Sequence, residues 1–145
     1  MKTSLLATMA FICAVALPAC AGSETIMVTS TPPEAAGPTF NQITTSGRSF
    51  SKDCVPTSIT VTTNITDPSG IKSVVLWYRV GADQPFKSAN MQLSGGEYGA
   101  TVNASDITGA QYGTLEFYIS AEDALGNHSR SLSDTSVQLL ACVSS

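Results

Sequence analysis

Four cysteines, Cys13, Cys20, Cys54 and Cys142, and a single histidine, His128, are the side chains through which this 145-residue chain could form covalent adducts, hold a metal or relay protons. The histidine stands in Asn127-His128-Ser129-Arg130. A nucleophile–histidine–carboxylate relay would therefore need its other two members delivered from elsewhere in the fold. No Cys-x-x-Cys is present, and one imidazole does not complete a zinc site. Nothing in this set forms a catalytic constellation, so the chain reads as non-enzymatic and the cysteines become questions of processing and cross-linking.

Cys20 closes an apolar run. Lys2 is the only charge before a stretch from Leu5 to Leu17 that Pro18 interrupts. Such a run falls short of the about 20 residues needed to cross a bilayer and has the charged and apolar regions of a secretory signal. Leu17-Pro18-Ala19-Cys20 resembles the bacterial lipobox, in which the cysteine thiol receives a diacylglyceryl group, although Pro18 departs from the small or β-branched residue more usual there. Ala19-Cys20-Ala21 is equally an A-x-A signal-peptidase site. The Ser/Thr/Pro-rich stretch that follows reads as a tether, the usual companion of a lipid anchor, and favours the lipobox. The expected organisation is a signal peptide over 1–19, a lipidated Cys20 with its tether over 20–38, and a folded domain over 39–145. Membrane contact would be through the lipid, and the chain would be extracytoplasmic, or freely secreted if cleavage follows Ala21.

Either route removes Cys13 with the signal and takes Cys20 out of the thiol pool, which leaves Cys54 and Cys142 as one pair. Outside the cytoplasm a disulfide between them is the default, and it would contribute about 4–5 kcal/mol by restricting the unfolded chain. Loss of Lys2 leaves six basic against eleven acidic side chains, scattered along the chain. No basic patch is available for nucleic acid or for anionic lipid.

The elements that must position everything else are strands. Ser58 to Ile65 alternates, with Ile59, Val61, Thr63 and Ile65 on one face. Ile71 to Val80 allows two registers. The one that points Val74, Leu76, Tyr78 and Val80 inward avoids burying Arg79 without a partner, and it leaves Trp77 outside. Gly95-Gly96 signals a hairpin. Leu115, Phe117, Ile119 and Ala121 form a further inner row, with Tyr118 on the reverse face, and Val137 and Leu139 carry the last strand. About seven short strands and no sustained helical period indicate an all-β antiparallel sandwich.

Asp67-Pro68-Ser69-Gly70-Ile71, the Val74 to Val80 strand, Gly95-Gly96-Glu97-Tyr98, and Leu115 through Asp123-Ala124-Leu125-Gly126-Asn127 resemble the bacterial Ig-like and fibronectin-type-III-like modules of surface and secreted proteins. The resemblance spans roughly 39–143 and implies a single sandwich. It implies little about function, since such modules serve as spacers, adhesion units and neighbours of enzymes. That topology places Asp67, Asp123 and Asn127 at one end, where oxygen donors could hold calcium, the one cofactor considered. The plainer expectation is that the aspartates cap their own turns. Trp77 and Tyr118 would face outward from neighbouring strands, an aromatic pair suited to a surface protein or a glycan. An outward Trp77 should also be inexpensive to remove, within about 1 kcal/mol.

Overall fold

The computed structural model describes residues 34–142. Cys20, the signal peptide and most of the tether expected above lie outside the described residues. Ten strands follow in chain order: β1 Thr39–Thr45, β2 Ser49–Ser51, β3 Ser58–Thr66, β4 Ile71–Val80, β5 Lys87–Asn90, β6 Gln92–Ser94, β7 Glu97–Asn103, β8 Gly113–Asp123, β9 His128–Arg130 and β10 Asp134–Leu140. They form two packed sheets, one ordered β1-β3-β7-β6 and the other β2-β10-β8-β4-β5, with β9 paired to β8 beside β10. The protein is an all-β sandwich. Its strands exceed the seven expected because β2, β5 and β9 are only three or four residues each, too short to show a period of two.

Each inner row follows from alternation. Ile59 and Val61 from β3, Leu76 from β4, Val102 from β7, Leu115, Phe117 and Ile119 from β8, and Val137 and Leu139 from β10 are all buried between the sheets. Phe50 on β2 closes the core on that side. Tyr78 and Val80 point inward as expected, and Arg79 lies on the outer face, where it bonds Glu116 at 2.6 Å and the carbonyl of Ala82 at 2.9 Å. Thr63 occupies an inner position with its hydroxyl buried and without a hydrogen-bond partner in the structure.

One pairing breaks the antiparallel pattern. β2 runs parallel to β10, with Phe50 opposite Leu139. Because the two strands leave the sheet in the same direction, the segments just beyond them carry Cys54 and Cys142 to the same place. The two cysteines are disulfide-bonded with their Cα atoms 5.8 Å apart.

The domain also begins ahead of residue 39. Pro38 is buried, the Asn127 carboxamide donates to the carbonyl of Glu34 at 3.0 Å, and a side chain at Gly37 would stand 2.7 Å from the carbonyl oxygen of His128. Residues 34–38, placed in the tether on composition, therefore pack against the turn between β8 and β9.

Candidate functional site

The outer face of the larger sheet is built from the positions that alternate with the core. Antiparallel register sets Trp77 of β4 directly opposite Tyr118 of β8, with Arg79 opposite Glu116 and Val75 opposite Ser120. The Trp77 and Tyr118 rings lie 6.1 Å apart and are inclined by 12°, a stacked pair that is half-buried. Phe86, from the connection into β5, meets the edge of Tyr118 at 5.1 Å. Two guanidinium groups complete the row: Arg79 sits 4.4 Å from the Phe86 ring centre and Arg130 sits 3.6 Å from that of Tyr118. Each is a cation over a π face, worth about 0.5–1 kcal/mol where solvent reaches it.

Polar anchors fix these rings. The Trp77 indole N–H donates to Ser120 Oγ at 3.0 Å. Arg79 Nε donates to Glu116 Oε2 at 2.8 Å, which holds its guanidinium beside Phe86. Arg130 is carried by β9, where it pairs with Ser120 and so reaches diagonally over Tyr118. Lys72 and Glu122 close the far end of the face with an ion pair at 2.6 Å. The Lys72 hydrogen bond holds the Glu122 carboxyl below its usual range, against the opposing effect of burial.

Sequence reasoning brought Trp77 and Tyr118 together, and the structure adds Phe86 against Tyr118. The two arginines were missed as parts of the row. The signal for Arg79 was its place two residues after Trp77, whereas Arg130 depends on β9, a strand too short to read.

The residues considered for calcium also come to one end of the sandwich, since the Ala124 amide donates to the carbonyl of Gly70 at 3.0 Å and links the two turns. Asp67 Oδ1 accepts from the amide and hydroxyl of Ser69 at 2.9 and 2.6 Å. Asp123 is fully buried. Its Oδ1 accepts from the amides of Leu125 and Asn127, both at 2.8 Å, and its Oδ2 accepts from the Asn127 carboxamide at 2.7 Å. Burial opposes ionisation of Asp123, yet the Asn127 side chain and the turn amides outweigh it and hold the carboxyl below its usual range. Glu34 moves the other way, raised by burial and by the nearby charges of Asp67 and Asp123. Among the described residues, no group of three histidine, cysteine or acidic side chains is arranged to hold a metal ion. The aspartates cap their own turns through these bonds.

His128 is exposed at the start of β9, opposite Glu122. Among the described residues no helix is long and apolar enough to cross a membrane. The disulfide points to an oxidising, extracytoplasmic compartment.

No protein-family model matches the chain, and no curated protein matches it. Among solved structures it is similar to the crystal structure of a Br derivative of BhCBM56, at 15% identity and a TM-score of 0.40, over 57% of this chain and 80% of that one.

Proposed function

We propose that this chain is a non-catalytic binding module of the cell envelope, carried on a lipid at Cys20 and engaging a protein partner through the outer face that holds Trp77 and Tyr118. The observation behind this reading is the composition and order of that face. A tryptophan, a tyrosine and a phenylalanine lie in one row between two arginines, half-buried and held in place by Ser120 and Glu116. Tryptophan, tyrosine and arginine are the residues that most often dominate protein interfaces, and rings ordered before binding lose less entropy on contact. A glycan on the same face would need an open ring surface, and Arg130 lies over Tyr118. Secretion without an anchor remains the alternative route to the same compartment, through cleavage after Ala21.

A second reading, a structural spacer, draws on the same row. The indole N–H is bonded to Ser120, and the arginines are already seated on Phe86 and Tyr118, so the face satisfies itself without a partner. Capture from an envelope extract on the immobilised full mature chain separates the two. A partner retained by wild type and lost with Trp77→Ala or Arg130→Ala supports binding. Capture that is unchanged in both variants favours the spacer.

A further inference from the structure

The outer face of the β1-β3-β7-β6 sheet carries a groove of about 540 Å³ that reaches Ala89 and Asn90 of β5, the edge strand of the other sheet. Its floor is Gly99 of β7, where the missing side chain opens a depression between Thr62 of β3 and Gln92 of β6, the residue paired with Gly99. Thr60 and Thr101 continue one wall, and Asn90, at the end of β5, stands on the other. Among the described residues of the lining, Glu97 is the only ionisable side chain.

The polar groups of this surface are mostly hydroxyls and carboxamides, set among Ala89, Gly99 and Ala100. Thr60 and Thr101 share a hydrogen bond at 3.0 Å, and Thr62 pairs with Thr44 at 2.7 Å. A pair of hydroxyls spends one of its two protons on itself, so each pair keeps a donor and several lone pairs for something outside. Asn90 and Gln92, both exposed, add carboxamides that donate and accept, and the Glu97 carboxylate can accept from two adjacent hydroxyls. A nucleic acid would find no cation here. A peptide could add a strand only at the rim, along the edge strands β6 or β5, and would leave the threonine surface untouched, because β3 and β7 are each paired on both sides. A ligand made of hydroxyl groups, each both donor and acceptor, matches the lining.

We propose that this groove binds an uncharged oligosaccharide. Gly99 and the threonines lie on the sheet that does not carry Trp77, so the sandwich would present two binding surfaces. Gly99 provides a clean plug. Its backbone is not in the left-handed region, and an added Cβ would meet Thr62 Cγ2 at 3.5 Å, an ordinary contact. Gly99→Val should therefore fill the floor, remain folded and hold its melting temperature.

The full mature chain is applied to an array of uncharged and charged oligosaccharides, beside Gly99→Val, the exposed-wall double variant Gln92→Ala/Glu97→Gln, and Trp77→Ala. The expected result is capture by at least one uncharged oligosaccharide. That capture weakens at least tenfold in Gly99→Val and in the double variant, and it is unchanged in Trp77→Ala. Capture by charged sugars alone, no capture at all, or capture that survives both groove variants would overturn the proposal. Loss in Trp77→Ala with retention in the groove variants would also overturn it, and would move sugar binding to the aromatic face. Because the second variant alters only exposed side chains, the outcome does not rest on the folding of Gly99→Val.

Discussion

Trp77 and Tyr118 hold directly opposed positions on β4 and β8, their rings stacked at 6.1 Å while the backbone beneath them is buried on its other side by Leu76, Tyr78, Phe117 and Ile119. An outward tryptophan in that setting is a structural element as well as a surface. It supports Tyr118, which in turn carries Phe86 and Arg130.

Trp77→Ala should accordingly cost about 1.5–2.5 kcal/mol, since an aromatic pair contributes about 0.5–1.5 kcal/mol beyond the area it buries. This exceeds the 1 kcal/mol expected of a simple surface ring and stays below the about 3–5 kcal/mol of a core aromatic such as Phe117. Urea unfolding of Trp77→Ala and Phe117→Ala side by side measures both. Equal losses would mean that Trp77 is core.

Thr63→Val should stabilise the protein by about 1 kcal/mol. It replaces a buried hydroxyl that has no partner by a methyl group of similar shape, in a strand that favours β-branched residues. A urea midpoint that falls instead would show that the hydroxyl has a partner, such as an enclosed water.

Removing the Cys54–Cys142 bond, by Cys54→Ser with Cys142→Ser or by reduction, should lower stability by about 4–5 kcal/mol for a sequence separation of 88 residues. Non-reducing peptide mapping of protein taken from its native compartment checks the pairing directly, and free thiols at both positions would contradict it.

Acid should weaken the turn between β8 and β9. Asp123 and Glu122 both have carboxyls held below their usual range, so their contribution to stability is complete above about pH 4–5 and is lost as the pH falls through their lower folded values. Glu34, raised, opposes this: the folded state takes up its proton more readily than the unfolded chain, so Glu34→Gln should increase stability at neutral pH. Thermal melts between pH 7 and pH 2 on wild type, Asp123→Asn and Glu34→Gln test the signs. Because the Asp123 oxygens are taken by N–H donors, calcium and chelator should leave the melting temperature unchanged.

The anchor is tested apart from the fold. Intact mass of the mature protein should show a diacylglyceryl adduct on Cys20, and Cys20→Ser should release the chain or leave its precursor uncut. A mature wild-type chain that begins at Gly22 would make it a freely secreted protein.

The inner rows of β3, β4 and β8 could be read directly, because a period of two over nine to eleven residues assigns every side chain to a face. The same reasoning put Trp77 and Tyr118 on one outer surface. The arginine over Tyr118 was hidden because a three-residue strand such as β9 has no period to detect. Gly99 misleads for another reason: in a sequence it weakens a strand, and only the neighbouring sheet positions show that its missing side chain shapes a groove. The early start of the domain was masked by composition, since proline, alanine and glycine look like linker whether or not they pack.

The bond between Cys54 and Cys142 also sets how the module would respond to being pulled. A load applied across the two ends of the described chain runs from residue 34 to Cys54 and then crosses the sulfurs to Cys142, bypassing everything between them. Only β1 and β2 lie on that path, so tension can peel them away for at most about 70 Å, the reach of the segment ahead of Cys54 at ~3.5 Å per residue. The strands that carry the aromatic row and the Gly99 groove sit in the shunted loop, mechanically out of circuit, and bear no direct tension while the leash in front of them lengthens.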